Sequence, residues 1–353
     1  MAHLSVVLPN YNHAQYLPRA LDAILGQTPP ADEVIVVDDG STDGSLSVLE
    51  GYANQHASVT IIAHGENLGA VAALNTGLAK ATGVYVYMAA ADDVVLPGFF
   101  KLGLAGLDRN PGLGLFTGAT LLLEATSGRR LGMRPAVWPR YRPGVVTRDR
   151  TAQLLRRSDN WILTGASLLV KDAVEEAGGL GTDLGTFADG FLVRKVALTR
   201  GFYFHPRPVA VWNVHEGSIS RRTATQAKEA VRGLNLYTER IRADPVFPVG
   251  YAERFGRRWR FATSRIALQL PIEGRAVIEA LSVQRPVDRQ LLVGLAPRLP
   301  RRLSRLTSLG WLYLRLRPTS LTGVVGTWVA ARLTWKQRRL PEILGAGLDQ
   351  RNT

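Results

Sequence analysis

The sequence predicts an α/β protein, a mostly parallel sheet flanked by helices, followed by a basic helical region. Three observations predict it. Short apolar runs end abruptly in polar loops, helical periodicity fills the intervals between them, and the charge changes character past the middle of the chain. Of 353 residues, 46% are hydrophobic and 20% charged, with mean hydropathy +0.01, so neither disorder nor a polytopic membrane protein is expected. That length suits about two domains.

Leu4–Leu8 is an unbroken apolar run that stops at Pro9-Asn10, and Glu33–Val37 is a second that stops at Asp38-Asp39-Gly40. Runs without polar alternation are what a parallel strand buried on both faces requires. Between them Leu17, Ala20, Leu21, Ile24 and Leu25 recur at helical spacing over Tyr16–Leu25. The helical pattern returns over Ser41–Tyr52, with Ser41 or Thr42 as the expected N-cap. A third strand is predicted at Val59–Ala63, a helix at Ala70–Ala81, and a fourth strand at Val84–Ala89, ending at Asp92-Asp93. Parallel sheets bind ligands beyond the carboxyl ends of their strands. Asn10, Tyr11, Asp38, Asp39, Asp92 and Asp93 all fall there.

From Leu113 to about Val214 the pattern is mixed, with strands at Gly114–Leu123 and Ala166–Val170 and a helix at Lys171–Ala177. The stretch Arg129–Arg150, rich in proline and arginine and without periodicity, reads as a loop over one face. Past Ser220 come arginine-rich helices at Thr223–Ala243 and Tyr251–Leu270, then amphipathic stretches at Leu295–Leu316 and Leu321–Leu333. Neither amphipathic stretch reaches the unbroken apolar length of a spanning helix. The expected division is a domain at 1–220 and a basic helical region at 221–353. Residues 1–220 hold 18 Lys+Arg against 20 Asp+Glu, whereas residues 221–353 hold 25 against 9, so the two parts meet different partners. With no cysteine, disulfides, thiolate metal sites and cysteine nucleophiles are excluded. The N-terminus lacks the basic flank and long apolar run of a secretory signal, and cytoplasmic residence is expected.

Two constellations carry chemistry. In Pro9-Asn10-Tyr11-Asn12 with Asp38-Asp39-Gly40-Ser41, an aromatic face can stack a nucleobase, and a carboxylate can accept hydrogen bonds from a base imide or a ribose. Asp92-Asp93 suits a hard divalent cation, Mn²⁺ or Mg²⁺, that also grips a diphosphate. Each alone has a plainer reading, a turn with a helix cap for the first and a solvated acidic pair for the second.

Together they resemble the inverting family 2 glycosyltransferases of the GT-A fold, over roughly residues 3–220. The resemblance is carried by Leu4–Asn12, by Ala20–Gln27, by Glu33–Asp43, and by Glu66-Asn67-Leu68-Gly69 with Leu74-Asn75-Thr76-Gly77-Leu78. It implies that Pro9, Tyr11 and Asp39 hold the nucleobase, that Asp92 meets the ribose or sugar, and that Asp93 meets the metal. Ala91 stands at a position that is often aspartate in the family, and Leu74 where many relatives have a basic residue.

Phe187-Ala188-Asp189-Gly190 is similar to the family's Glu-Asp element at a helix start, which implies Asp189 as the catalytic base. Asp183 is the alternative, and a helix N-cap is the plainer reading of Asp189. Val211–Ser220 resembles the family's closing Tyr-Arg-x-His-x-x-Ser-x-Ser element, which implies His215 as a metal or diphosphate contact and Ser218 and Ser220 as phosphate contacts. The resemblance implies that Trp161 and Gly165 fall on the acceptor side of the cleft, and a core residue is the plainer reading of Trp161. His13, His64 and His205 are read as structural.

The function so implied is metal-dependent, inverting transfer of a sugar from a nucleoside-diphosphate sugar to a hydroxyl acceptor, in bacterial cell-surface polysaccharide or glycolipid synthesis. Arginine pairs such as Arg221-Arg222 and Arg301-Arg302, set among leucines and aromatics, point to docking on an anionic membrane surface, where a sugar or lipid-linked sugar acceptor would be presented. A dinucleotide-dependent oxidoreductase lacks its Gly-x-Gly-x-x-Gly turn after the first strand. A noncatalytic scaffold or nucleic-acid binder using the basic tail is the competing class, and nucleic acid is not the expected partner.

Overall fold

The computed structural model describes residues 3–156, 162–215, 225–270 and 273–335, and their side chains apart from those of residues 273, 301 and 333–335. These residues fall into two compact units, one within 1–151, 160–214 and 325–353, the other within 152–159 and 215–324. The domain break expected after 220 lies outside the described residues.

The chain opens with β1 (Leu4–Asn10), α1 (Leu17–Leu25), β2 (Glu33–Asp38), α2 (Ser45–Gln55), β3 (Val59–Ala63), α3 (Ala70–Lys80) and β4 (Tyr85–Met88). Neighbours in the order β3-β2-β1-β4 pair in parallel. In β1, Leu4, Val6, Val7 and Leu8 are fully buried, because helices cover both faces of the sheet and every side chain must be apolar. α3 lies so close that a Cβ on Gly77 would stand 2.3 Å from Val7 Cγ1, a gap that only glycine fits.

α2 begins at Ser45, and neither Ser41 nor Thr42 caps it. The Ser41 hydroxyl donates instead to Asp38 Oδ1 at 2.6 Å and accepts the Asn12 backbone N–H at 2.9 Å, tying two loops together. Local turn chemistry of this kind competes with capping for the same residue types.

The chain continues through β5 (Val94–Val95), α4 (Phe99–Asp108), β6 (Leu115–Glu124), β7 (Arg130–Arg134), β8 (Gly144–Val146), α5 (Arg148–Leu155), β9 (Ser167–Val170), α6 (Lys171–Glu176), α7 (Ala188–Arg200) and β10 (Phe202–Val214). The full order is β3-β2-β1-β4-β9-β6-β10-β5, with β7 on β6 and β8 on β10. β6 and β10 pair in parallel, whereas β9, β5, β7 and β8 run antiparallel to their neighbours, so the parallel first half gives way to a mixed second half.

The stretch expected as a loop at Arg129–Arg150 therefore supplies two short strands and the start of α5. Strands of five and three residues are too brief to show periodicity. Trp138 lies buried between them, and its backbone N–H donates to Thr327 Oγ1 at 2.8 Å. The described residues from Val325 to Trp335 belong with the sheet.

The second unit is helical, with α8 (Ala227–Ala243), α9 (Tyr251–Ala267), α10 (Glu273–Ser282) and α11 (Arg301–Leu316); α12 (Leu321–Trp335) begins in it. Its core is aromatic, with the Tyr237 and Phe255 ring centroids 4.2 Å apart, and the Ser264 and Ser282 hydroxyls join α9 to α10 at 2.8 Å. No described helix is long and apolar enough to cross a membrane.

Candidate functional site

The site is built where β1, β2 and β4 end side by side, with Asn10 opposite Asp38 and Val7 opposite Met88. At the first of these ends Tyr11 is 41% exposed, beside the partly buried Pro9. Asn12 sits at φ 53°, a conformation that Asn tolerates better than most residues, and its Oδ1 accepts the Thr42 N–H at 2.8 Å. Asp38 is fully buried and accepts from Asn10 Nδ2 at 2.7 Å, from the Ser41 hydroxyl and from the Ser41 N–H at 3.0 Å.

Asp39 is only 2% exposed. Its Oδ1 meets His64 Nδ1 at 2.7 Å and accepts the Leu68 N–H at 3.0 Å, while Oδ2 accepts the Gly69 N–H at 2.7 Å. The other ring nitrogen of His64 lies 3.1 Å from Thr76 Oγ1 on α3. Gly40 makes this possible. Its φ is +71°, and a Cβ there would stand 2.7 Å from the Glu66 carbonyl carbon.

A second group of carboxylates gathers around the turn Thr164–Ala166 that leads into β9. Thr164 Oγ1 donates to Asp189 Oδ2 at 2.9 Å, and the Gly190 N–H donates to Asp189 Oδ1 at 2.6 Å, in the first turn of α7. A Cβ on the neighbouring Gly165 would stand 3.8 Å from Asp93 Oδ2, so Asp93 and Asp189 approach consecutive residues of one short turn. Asp93 Oδ1 accepts the Asn213 N–H at 3.0 Å, and Asn213 Nδ2 donates to the Asp92 carbonyl at 2.6 Å, which clamps the acidic pair to the end of β10.

Burial, with the Asp92 charge next to it, pushes the Asp93 carboxyl well above the ordinary carboxylate range, against the opposing pull of the Asn213 N–H. Burial and the Asp93 charge likewise raise the Tyr87 phenol, whose hydroxyl donates to the Gly165 carbonyl at 3.2 Å. Asn75 on α3 reaches the Leu180 carbonyl at 3.0 Å, bracing the segment that leads to Asp183 and Asp189. Asp183 itself is exposed.

His215 follows Asn213 by two residues and is partly buried. Trp161, Ser218 and Ser220 lie outside the described residues. Among the described residues no group of three or more His, Asp or Glu side chains could hold a metal ion by itself. The residues nonetheless fit a hard cation of the Mn²⁺ or Mg²⁺ kind, because such ions are commonly held by one or two carboxylates together with substrate phosphates. Asp93 Oδ2, with no donor to it among the described residues, supplies one such oxygen beside Asp92.

Residues 5–141 match the family described as Glycosyl transferase family 2. The chain carries a family 2 glycosyltransferase domain. An uncharacterized glycosyltransferase of Nostoc sp. is 42% identical to it over 94 residues, 27% of this chain and 29% of that protein. TuaG of Bacillus subtilis, a putative teichuronic acid biosynthesis glycosyltransferase, is 37% identical over 26% of this chain and 36% of its own. The matched stretch thus spans about a third or less of the Nostoc relative's own length.

Among solved structures, the mannosyltransferase PcManGT of Pyrobaculum calidifontis, in complex with GDP-Man and Mn²⁺, superposes with TM-score 0.53 at 22% identity, over 96% of this chain and 88% of that one. TarS 1–349 of S. aureus with UDP-GlcNAc gives TM-score 0.55 at 17% identity, over 89% and 90%. The glycosyltransferase domain shares the fold of both.

Four contributors to this domain's site escape a reading of the sequence. His64, read as structural, is the partner of Asp39, and its place directly after β3 was the available signal. Thr76, Thr164 and Asn213 carry no motif of their own, since a hydroxyl or amide that orients a carboxylate is identified only by where the fold places it.

Proposed function

We propose that the chain transfers a sugar from a nucleoside-diphosphate sugar to an acceptor hydroxyl, with inversion at the anomeric carbon. The observation that carries this reading is the approach of Asp189 and Asp93 to Thr164 and Gly165, one residue apart, at the edge of the sheet where Tyr11 is exposed. Tyr11 stacks the donor base above Pro9. Asp39 Oδ2, with one internal donor, keeps a lone pair for the base, and Asp92 meets the ribose or sugar. Asp189, oriented by Thr164 and by the start of α7, takes the acceptor proton as the acceptor oxygen bonds the anomeric carbon and the bond from that carbon to the diphosphate breaks. Asp93, with His215, holds a divalent cation, which when bound would offset the charge of the departing diphosphate. Ser218 and Ser220 contact phosphate, and Trp161 the acceptor.

The GDP-Man and UDP-GlcNAc held by the structural neighbours support a nucleotide-sugar donor, and the name of TuaG supports a role in cell-envelope polysaccharide or glycolipid synthesis. The basic helices support a peripheral position on the inner face of the cytoplasmic membrane, where a lipid-linked sugar acceptor would be presented. The test is a thermal-shift series with nucleoside diphosphates, with and without Mn²⁺, on the wild type and on Asp93→Ala. A Mn²⁺-dependent rise that Asp93→Ala loses is expected. No stabilisation by any nucleotide, or a metal-dependent rise that survives in Asp93→Ala, overturns the assignment.

A further inference from the structure

Helix α11 is fixed in the helical unit by one face only. On that face Leu312 and Leu316 are buried, Trp311 Nε1 and Arg315 Nε both donate to Asp288 Oδ1 at 3.0 Å, and the Tyr313 ring meets Phe261 edge-on. The outward face is not polar. Leu303, Leu306 and Leu314 are 50%, 67% and 69% exposed, and together with the exposed Gly310 they form a single row at helical spacing, while the exposed Leu299 lies in extended backbone just before the helix. Arg302 and Arg305 are exposed along one flank of that row, and Arg298 is exposed in the turn that precedes the helix. No aspartate or glutamate occurs in the sequence between Asp288 and Glu342. Where the row ends, Leu314 and Arg317 rim a cavity of about 270 Å³ whose walls include Ser320 and Thr322, groups suited to a phosphate.

We propose that this face, from Leu299 to Arg317, docks the chain on an anionic phospholipid bilayer. The leucine row enters the boundary of the acyl chains, and the arginine flank meets lipid phosphates. The inference rests on the membrane part of the proposed function and gives it a surface. Charge selects the occupant. A second copy of the same face would set arginine against arginine, and so would residues 336–353, where Lys336, Arg338, Arg339 and Arg351 outnumber Glu342 and Asp349. Nucleic acid would match the arginines but give the leucine row no apolar partner.

The test floats the full chain with vesicles of phosphatidylcholine and phosphatidylglycerol in equal parts, and with phosphatidylcholine alone. Co-flotation with the mixed vesicles, weakened by added salt, is expected. Arg302→Gln/Arg305→Gln lowers the partition coefficient about 25-fold, at about fivefold per charge near the surface. Leu303→Ser/Leu306→Ser abolishes co-flotation with every arginine in place. Both variants keep the wild-type thermal midpoint because the four side chains are exposed, and Arg109→Gln/Arg148→Gln, an equal loss of charge elsewhere, binds as the wild type does. Flotation unchanged in both variants overturns this face while leaving membrane attachment standing. No flotation of the wild type overturns both, and so does salt-sensitive binding to a short RNA duplex, without flotation, that the leucine variant retains.

Discussion

The loops after β1 and β2 and the turn before β9 both hold aspartates out of bulk water, yet they treat them in opposite ways. Asp38 and Asp39 each meet three internal partners, so the fold orients both carboxylates, with Asp39 Oδ2 held by a single donor. Asp93 has the single Asn213 N–H among the described residues, with Asp92 beside it and no basic side chain set against it there. Buried polar groups are normally satisfied, and a buried carboxylate with a like charge beside it costs stability. Such a cost is characteristic of groups reserved for a ligand. The contrast sets carboxylates oriented by several donors of the loops against one that has a like charge beside it and a single donor among the described residues.

The largest expected effect lies at the turn before β9. Asp189→Asn keeps the shape and the Thr164 contact but removes the proton acceptor, so transfer falls by about 10³-fold while nucleotide binding stays within a few-fold of wild type. Initial rates and nucleotide titration on the same preparation check it. A variant that loses binding and rate together would place Asp189 with the framework residues and break the contrast.

The next effect reverses the emphasis. Asp39→Ala strands the Leu68 and Gly69 N–H groups and the His64 ring, and is expected to cost about 3 kcal/mol of stability. Asp93→Ala strands one N–H and removes a repulsion, so its ligand-free thermal midpoint stays at or above the wild type's. Calorimetry of the two variants without nucleotide or metal decides it. Equal losses would show that donor counts do not distinguish the two places.

The frame of this comparison was legible in the sequence because both ends of it lie where apolar runs stop. Buried parallel strands must be continuous in hydrophobicity, so β1 and β2 announce themselves, and with them the positions of Asp38 and Asp39; β4 does the same for Asp93. The second half was less legible for a physical reason. β5, β7 and β8 gain their stability from pairing with β6 and β10, and two to five residues carry too little pattern to betray a partner distant in sequence. The same holds for Ser41. Its residue type fits a helix cap and a loop tie equally, and only the approach of Asn12 decides between them. The His64–Asp39 contact depends on Gly40 turning the chain at positive φ, and nothing in the identity of His64 reveals that.

A smaller effect tests how the working end is organised. Thr164→Val removes the hydroxyl that donates to Asp189 Oδ2 and keeps the shape of the turn. A hydrogen bond of this kind contributes about 1 kcal/mol, so kcat is expected to fall roughly fivefold with KM for the donor unchanged. Restoration by Thr164→Ser, which keeps the hydroxyl, separates positioning of the base from packing. A change confined to donor KM would assign Thr164 to the nucleotide side.

The smallest effect guards the comparison against an easy misreading, that any unsatisfied buried group marks a ligand site. His205 Nδ1 is buried on β10 without a hydrogen-bond partner among the described residues, yet the residue stands eight positions before Asn213, about 25 Å along the strand. Burial first, and the charge of Arg207 second, lower its pKa to about 4, below the value of about 6.5 expected in the unfolded chain. The unfolded state therefore binds the extra proton between these two values and the native state does not. Stability is unaffected above pH 6.5, declines as the pH falls from about 6.5 toward 4, and levels off below that. His205→Leu removes this slope without altering nucleotide-induced stabilisation, and thermal midpoints from pH 7 to pH 4 with and without nucleoside diphosphate check both halves. A His205→Leu variant that loses the nucleotide response would show that an unpartnered buried atom far from the strand ends serves the ligand after all, and the division between framework and working groups would have to be redrawn.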